Sequence, residues 1–447
     1  MTPQRQPSRL RLLSWMAALG ISTLLPAQAQ SLMDLYTAAR QYDASYQSAR
    51  SQFDATLAKA EQARASVLPT VALSAGVSQV NVDAQLPASR NYSYSGQSAT
   101  LSASQPLYRP ANTATFEQGK KQVDVAQAQL AAAEQDLIVR VSQAYFDVLA
   151  SRDSLTFVRA QKTAVAEQLA SAKRNFEVGT ATITDTREAQ ARYDLVIAQE
   201  LAAENDLKVK SLALDQLVGK PGAAPKGIQG AAVLPAILPA DAEAWVQKAA
   251  DSHPSLKQLQ VAEEVARLET RKAEAGHMPT LDLTGSYAMS NTNGGSSSGT
   301  VDTRGNNASI GLSFTLPLFA GFSVQNRIKE TLALEDKART DLEAARRTIA
   351  QATRSAYFGV QSGLAQVKAL EAAEASSQSA LDANKLGYQV GVRINIDVLN
   401  SQSQLFDTKA KLAKARYDVL VGGLKLRQAS GVLTADDLQP INQQLEK

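Results

Sequence analysis

The chain has 447 residues, of which only 5% are aromatic, and it contains no cysteine. So few large side chains suit long helices that pack through small residues better than several compact cores. The lack of cysteine excludes disulfides, thiolate metal sites and lipid attachment through a cysteine. The formal charge of +3 comes from three arginines near the N-terminus, because the remaining 43 basic residues balance the 43 acidic residues. Charge therefore gives no argument for nucleic acid as a partner.

Residues 1–29 have the features of an export signal. Arg5, Arg9 and Arg11 precede an apolar run that ends at Leu25, and an Ala-Gln-Ala motif follows. We therefore expect this segment to be removed as the protein leaves the cytoplasm. After it, no apolar run approaches the ~18 residues that a membrane-spanning helix needs. Any part of the protein inside a membrane is thus expected to consist of strands.

The rest of the chain contains one unit twice, at residues 30–218 and 242–431. A linker rich in proline and glycine, residues 219–241, separates the two units, and residues 432–447 form a C-terminal tail. Matching segments keep a nearly constant offset, which predicts a tandem repeat of one architecture. Examples of such segments are Pro106-Leu107-Tyr108 with Pro317-Leu318-Phe319, Tyr145-Phe146 with Tyr357-Phe358, and Asp185 with Asp397.

Each unit opens with a predicted helical segment, at residues 32–66 and 242–275. Asp43 is a candidate N-cap inside the first segment. Pro254 suits a first helical position in the second segment, because its missing N–H costs no hydrogen bond there.

The periodicity then changes to an alternation of apolar and small polar residues. This period of two predicts strands with one apolar face and one polar face. The polar segments between paired strands, rich in Gly, Ser and Asn, are expected to be solvated loops. The predicted strands lie at about 68–80 and 97–107 in the first unit, and at about 279–290 and 308–319 in the second.

A long helical pattern follows each strand pair, from about residue 111 to 176 and from about 323 to 386. Apolar residues and alanines recur every three or four positions, which favours close packing of neighbouring helices. A helix of ~65 residues is ~100 Å long at 1.5 Å per residue. A glycine turn and a second long helix follow, so each unit ends in a helical hairpin with its tip near 178–185 or 388–397. The residues of the two turns are Val178, Gly179, Thr180, Val390, Gly391 and Val392.

The predicted strands have the length that crosses an outer-membrane-type bilayer, with apolar side chains outward. Four strands do not close into a barrel, and an open edge in lipid leaves backbone groups without partners. Closure therefore requires further copies of the chain, and two, three or four copies satisfy the geometry. The hairpins of all copies then project from the same side as a bundle.

Segments along almost the whole chain after the signal resemble TolC-type outer-membrane efflux and secretion channels. They include "SLMDLYTAARQYDASY", "NFEVGTATITDTREAQARYD", "LSFTLPLFAGF" and "LGYQVGVRINIDVLNSQSQLFDTKAKLAKARYDVL". The resemblance implies a homotrimer with a twelve-stranded membrane barrel, four strands per protomer, and a coiled-coil tunnel in the periplasm. It also implies a periplasmic adaptor and an inner-membrane transporter as partners, in a tripartite efflux pump or a type I secretion system. Drugs or proteins would pass through the channel to the exterior.

In this family the hairpin tips close the periplasmic mouth of the tunnel. The resemblance assigns Tyr388 and Arg393 to the inner hairpin, linked to Thr184 and Asp185 on the outer hairpin of the same or the adjacent protomer. The chemistry suits such a link, because a guanidinium pairs with a carboxylate and a phenol donates to one. These four residues are the predicted gate.

The resemblance also places Asp397 at the constriction, where threefold symmetry would create a ring of carboxylates that favours cations. The family pattern has a second Asp one helical turn later, where this chain has Asn400. This difference weakens the expected plugging by multivalent cations. In an alternative interpretation, Asp185 and Asp397 are only capping or first-turn acids, favoured by the helix dipole.

The two histidines of the chain, His253 and His277, have no Cys or His partner at a metal-binding spacing. No motif for a catalytic nucleophile, a nucleotide phosphate or a dinucleotide is present. We therefore predict no metal, no cofactor and no enzymatic activity. The alternative function is a periplasmic structural or adaptor protein built from coiled coils without a pore.

Overall fold

The computed structural model describes residues 29–84, 90–229, 234, 236–294 and 301–445. Almost all of the predicted signal segment lies outside the described residues, as do the centres of both inter-strand segments, part of the linker and the last two residues of the tail. Within the described ranges, the chain forms long helices and one antiparallel sheet of four strands.

The first repeat begins with two helices that meet at a capped corner. Helix α1 spans Leu32–Tyr42 and helix α2 spans Ala44–Ala65. Between them, the carboxylate of Asp43 accepts a hydrogen bond from the backbone N–H of Tyr46 at 2.8 Å. This bond satisfies one of the unpaired donors at the start of α2. The predicted N-cap is confirmed, and it divides the predicted helical segment into two helices.

Two long antiparallel strands follow, β1 at Thr70–Ala84 and β2 at Arg90–Tyr108. Both extend further from the helices than the predicted limits near residues 80 and 97. The period of two breaks after Val77, because the next apolar residues of β1, Val80 and Val82, lie on the opposite face, although the backbone ladder continues. The segment predicted as a long loop is thus largely paired strand.

The first helical hairpin consists of α3 at Pro110–Glu177 and α4 at Ile183–Val218. Helix α3 has 68 residues and α4 has 36, so α4 covers only about half of α3. Helix α2 packs on the other half, where Asp43 binds Arg140 of α3. A single continuous helix therefore joins the sheet to the hairpin tip.

The second repeat opens with α5 at Ala242–Ser252 and α6 at Pro254–Glu274. Pro254 occupies the first turn of α6, as predicted. His253 caps this helix, because its Nδ1 accepts a hydrogen bond from the backbone N–H of Ser255 at 3.2 Å. A short 3-10 turn then leads to the sheet.

Strands β3 at Thr280–Asn293 and β4 at Thr303–Thr315 complete the sheet. Strand β4 ends before its predicted limit near residue 319. The reason lies in Pro317, which has no N–H to donate to a β ladder. The chain from there to the next helix is irregular.

The second hairpin consists of α7 at Ser323–Gln389 and α8 at Asn395–Ala429. These helices have 67 and 35 residues, which closely matches the first hairpin. A 3-10 turn at Ala435–Leu438 and the short helix α9 at Gln439–Asn442 follow. Among the described helices, none combines the length and the apolar character needed to cross a membrane.

The strand order is β1-β2-β3-β4, and in the part of the sheet nearer the helices the register places the larger apolar side chains of all four strands on one face. Serine, threonine and glycine dominate the other face, so the alternation predicted from the sequence is present in three dimensions. The apolar face consists of Val71, Leu73, Ala75 and Val77 of β1, Ala99, Leu101 and Ala103 of β2, Leu281, Leu283, Tyr287 and Met289 of β3, and Ala308, Ile310, Leu312 and Phe314 of β4.

The main core lies where the linker and both ends of the described chain meet the long helices. The backbone N–H of Gln229 in the linker donates to the carbonyl of Gln444 in the tail at 2.9 Å. The N–H of Gln30 donates to the carbonyl of Ala224 at 2.7 Å. Linker and tail are therefore held on the helices. The largest fully buried side chains here include Leu32, Leu35, Leu137, Tyr145, Phe146 and Leu438.

Candidate functional site

The tip of the first hairpin ends α3 with a tight backbone turn. Gly179 has a φ of 79°, a left-handed conformation that glycine adopts without steric cost. Its N–H donates to the carbonyl of Phe176 at 3.0 Å, and the N–H of Thr180 donates to that of Asn175 at 2.8 Å. This pair of bonds is the Schellman motif, which satisfies the last carbonyls of a helix.

The tip of the second hairpin repeats this geometry. Gly391 has a φ of 80°, its N–H donates to the carbonyl of Tyr388 at 3.2 Å, and the N–H of Val392 donates to that of Gly387 at 2.9 Å. A Cβ atom at position 387 would lie 2.7 Å from Cγ of Arg393. The aliphatic part of Arg393 therefore lies across Gly387, so this glycine gives room to a predicted gate residue.

Apolar side chains project from both turns. Val178, Val390 and Val392 are 71%, 65% and 75% exposed. Exposed apolar clusters of this kind are typical of contact surfaces. The two turns thus present similar apolar ends.

Tyr388 joins the two hairpins of one protomer. Its hydroxyl accepts a hydrogen bond from Nδ2 of Asn175 at 3.2 Å, and its ring packs on a small apolar cluster between α7 and α8. The predicted link to Thr184 or Asp185 is not formed within the protomer. Within the chain, the hydroxyl contacts the amide of Asn175 on α3 instead.

Arg393 lies beside the predicted constriction residue. Its Nη1 is 3.7 Å from Oδ2 of Asp397, one helical turn away. Both side chains are accessible to solvent, so water screens this pair and it contributes little to stability. The link from Arg393 to Thr184 or Asp185 is also not formed within the protomer, because the i, i+4 spacing gives the guanidinium a carboxylate on its own hairpin.

Asp185 belongs to the N-terminal cap of α4. Its Oδ2 accepts hydrogen bonds from the backbone N–H and the hydroxyl of Thr182, at 2.9 and 2.7 Å. The Thr182 hydroxyl in turn accepts from the N–H of Asp185 at 3.2 Å. This reciprocal arrangement is a capping box, so the structure gives Asp185 the capping role that the alternative interpretation proposed. Thr184 is exposed next to it.

Asn400 has a partner on the other hairpin. Nη2 of Arg192 in α4 donates to Oδ1 of Asn400 in α8 at 2.8 Å. Both predicted constriction positions therefore have an arginine neighbour, Arg393 for Asp397 and Arg192 for Asn400. Only Asp397 brings a negative charge.

Sequence reasoning missed Asn395, a fully buried polar residue at the tip. Its Oδ1 accepts from Nε2 of Gln168 in α3, and its Nδ2 donates to the backbone carbonyl of Asp185 at 3.3 Å. This amide joins α3, α4 and α8. The available signal was an asparagine between Ile394 and Ile396 at a helix start, since a buried asparagine often sets the register of packed helices.

Neither histidine lies in a metal-binding arrangement in the described part of the chain. No group of three or more His, Asp or Glu side chains is found there that could hold a metal ion. His253 caps α6, and burial lowers the pKa of its imidazole, which favours the neutral ring with Nδ1 as acceptor. His277 ends the 3-10 turn before β3.

Comparison with known proteins places the chain in a family. The model of the family "Outer membrane efflux protein" matches residues 35–220 and 245–432, one match in each repeat. The outer membrane protein TolC of Vibrio cholerae is 33% identical over 433 residues, which cover 97% of this chain and 98% of that protein. The alkaline protease secretion protein AprF of Pseudomonas aeruginosa is 30% identical over 441 residues, with 96% and 90% covered.

Solved structures show the same fold. The outer membrane protein VceC of Vibrio cholerae superposes with a TM-score of 0.76 at 18% identity, over 90% of this chain and 96% of that one. The CmeC outer membrane channel of Campylobacter jejuni gives a TM-score of 0.76 at 15% identity, over 99% and 98%. The resemblance inferred from the sequence is confirmed: the chain belongs to the outer membrane efflux protein family and is a protein of the outer membrane.

Proposed function

We propose that the protein is the exit channel of an efflux or secretion system and that it works as a homotrimer. The observation that carries this proposal is a sheet with one apolar face whose outer strands, β1 and β4, have no second partner strand among the described residues. In lipid, each unpaired backbone group costs several kcal/mol. Three copies would pair β4 of one protomer with β1 of the next and close a barrel of twelve strands.

The apolar face also supports this proposal over a periplasmic protein without a pore. Val77 and Ile310 are each 82% exposed, and they lie in a continuous apolar surface over four strands. In water such a surface would drive aggregation. In a bilayer it is the surface that contacts acyl chains.

The helical hairpins of the three protomers would form a tunnel on the periplasmic side. Helices α3 and α7 are each ~100 Å long by their rise of 1.5 Å per residue, and their alanine-rich faces suit close packing. Transport through such a tunnel is passive and needs no catalytic group. The energy would come from the inner-membrane transporter.

We assign gating to the hairpin tips, with Tyr388 and Arg393 of one protomer facing Thr184 and Asp185 of the adjacent one. In support, Arg393 and Thr184 are exposed and the other two are partly accessible, although each tip already has internal contacts. Each cross-protomer link would contribute ~1 kcal/mol or less, because exposed pairs are weak. Three such weak links, which we call the latch, would hold the tips closed but would break at a small cost in free energy.

The constriction would contain one ring of Asp397 carboxylates and one ring of Asn400 amides. Carboxylate rings favour cations, but Arg393 lies 3.7 Å from Asp397 in the protomer. We therefore expect moderate cation selectivity and weak plugging by multivalent cations.

The proposed partners are a periplasmic adaptor and an inner-membrane transporter, which would contact the hairpin tips. The exposed apolar turns support this assignment, since they offer a contact surface at the end of each hairpin. One relative is named an alkaline protease secretion protein and the matched family is named for efflux, so we keep both proteins and small molecules as proposed cargo. The proposed contact residues are Val178, Gly179, Thr180, Val390, Gly391 and Val392.

The test is purification of the full protein from outer membranes, followed by cross-linking and single-channel recording in planar bilayers. A cross-linked trimer that resists mild heating in detergent and conducts ions supports the proposal. A soluble monomer that produces no conductance contradicts it.

A further inference from the structure

Away from the helices, the apolar face of the sheet gives way to a row of polar side chains. The register pairs Gln97 of β2 with Asn291 of β3, and Asn291 with Arg304 of β4. Neighbouring strands are ~4.8 Å apart, so the three side chains start within ~10 Å of one another on the same face. Val77 of β1 completes this row.

An open depression of about 630 Å³ lies beside this polar row. Ala75 and Ala99 form its floor, because their small side chains stand between the larger Val77 and Met289. Asn306 lies at the edge next to the polar row. The depression is thus apolar toward the helices and polar toward the far end of the strands.

The polar row carries a positive charge that no described residue neutralises. Gln97, Asn291 and Arg304 make no side-chain hydrogen bond or ion pair with any residue in the described ranges. The acid that precedes Arg304, Asp302, accepts the backbone N–H of Gly294 at 2.7 Å. The guanidinium and the two amides therefore present donors that an anion can accept.

We propose that this depression binds a phosphorylated glycolipid, lipid A of the outer leaflet. Its phosphate would accept from Arg304, Gln97 and Asn291, and an acyl chain would lie over the alanine floor beside Met289. This proposal rests on the proposed function, because the closed barrel turns this face toward lipid and places the strand ends far from the periplasmic helices in the outer leaflet. Phosphate prefers the forked guanidinium to a point charge, and the apolar floor selects an anion that carries a chain over a free phosphate.

The experiment titrates purified full-length trimer in neutral detergent with diphosphoryl lipid A and measures bound lipid by native mass spectrometry. Arg304→Gln should lower the affinity for diphosphoryl lipid A about tenfold, because it removes a charge-assisted hydrogen bond. Arg347→Gln, at an exposed arginine of α7 outside the sheet, is the matched control and should bind as the wild type does. Equal binding by the Arg304→Gln trimer overturns the proposal.

Two further ligands test whether the site recognises the phosphate and the glycolipid. Dephosphorylated lipid A should bind the wild type about tenfold more weakly and should not distinguish it from Arg304→Gln. Phosphatidylglycerol should bind several times more weakly than diphosphoryl lipid A. If dephosphorylated lipid A or phosphatidylglycerol binds as tightly as diphosphoryl lipid A, the assignment to this glycolipid is wrong.

A second variant separates shape from charge. Ala99→Phe would place a ring in the depression without a change in charge, and it should weaken phosphorylated and dephosphorylated lipid A by the same factor. If Ala99→Phe binds both forms of lipid A as tightly as the wild type does, the acyl chain does not lie over Ala75 and Ala99 as proposed. Conductance of the same trimers separates a failure of the lipid site from a failure of the proposed channel. Wild-type protein that conducts normally but binds no lipid A rejects only the lipid site. Wild-type protein that forms no conducting trimer rejects the proposed channel.

Discussion

The guanidinium of Arg109 forms a bidentate ion pair with the carboxylate of Asp282 and so joins the start of α3 in one repeat to β3 in the other. Nε and Nη2 of Arg109 donate to Oδ1 and Oδ2 of Asp282, at 2.7 and 2.6 Å. Asp282 is only 7% exposed, so the guanidinium replaces the water that would solvate its carboxylate. The pair ties the helical part of the protomer to the sheet.

Arg109→Ala is expected to destabilise the junction by about 1–3 kcal/mol per protomer, because it leaves a buried carboxylate without its charged partner. Asp282→Asn should cost less, since an amide oxygen still accepts from the guanidinium. The temperature at which the trimer dissociates in detergent measures the effect. Arg347→Ala, at an exposed arginine in the first half of α7, should leave this temperature unchanged. Equal dissociation temperatures for Arg109→Ala and wild type would contradict a stabilising role.

Stability should fall in acid through Asp43. The hydrogen bonds from Arg140 hold the pKa of Asp43 below its ordinary value of 3.8. A lowered pKa in the folded state means that the stabilisation is fully present above the ordinary value and is lost as the pH falls through the lowered one. Asp43→Asn should therefore narrow the difference between the melting temperatures at neutral and strongly acid pH, followed by circular dichroism. Asp54→Asn, at an exposed position of α2, is the control, and an identical pH profile for both variants would refute this assignment.

The two tip glycines should resist substitution. Gly179→Ala and Gly391→Ala would each reduce stability by about 1 kcal/mol, because an alanine Cβ is strained at a φ near 80°. Hydrogen exchange at the tips should become faster in both variants, as the turns open more often. Gly359→Ala, inside α7 with no heavy atom within 4 Å of the added Cβ, should leave exchange at the tips unchanged. Slower or equal exchange in the tip variants would argue against the strain.

Loss of a latch residue should open the channel. Arg393→Ser and Tyr388→Phe are each expected to raise the conductance of the reconstituted trimer. Three links of ~0.5 kcal/mol sum to ~1.5 kcal/mol, which shifts the closed-to-open ratio about tenfold. Arg347→Ser, far from the tips, serves as control. If both latch variants carry the same current as the wild type, neither residue has the proposed role.

The constriction should respond to charge at two positions. Asp397→Ala is expected to lower the permeability ratio of cations to anions and to weaken block by multivalent cations, because the ring loses its carboxylates and Arg393 loses its neighbour. Asn400→Asp should strengthen that block only moderately, since Arg192 would pair with the new carboxylate. Reversal potentials in a salt gradient measure both effects. If the wild type and Asp397→Ala have the same permeability ratio of cations to anions, Asp397 does not line the pore.

The repeat, the helical hairpins and the faces of the strands were predictable because each depends on local periodicity. The alternation around Leu283 and Ile310 identifies the apolar face of β3 and β4. Glycine at positions 179 and 391 indicates the turns at the hairpin tips. The ends of β1 and β2 were not predicted, because the alternation changes phase beyond Val77: Val80 and Val82 lie on the opposite face while the backbone ladder continues. A strand whose apolar residues change face breaks the period of two, so the pattern marks an end where the strand continues.

The partners of the gate residues were less predictable than their positions. The resemblance located Tyr388 and Arg393 at the tip, but the bond to Asn175 depends on how two separate helices pack. Asn395 shows the same limit, since its partners lie in two other helices. Pairings between distant segments leave no local periodicity, so they require three-dimensional structure.

Helix α3 is continuous from the sheet to the hairpin tip, so a small tilt at the sheet produces a larger displacement at the tip. For a rigid helix of ~100 Å, a tilt of one degree about the Arg109 end displaces the other end by about 2 Å. Displacements of that size at three tips would change the width of a constriction without breaking a helical hydrogen bond. In the proposed trimer, rotations too small to disturb the seal within the bilayer would thus adjust the width of the mouth.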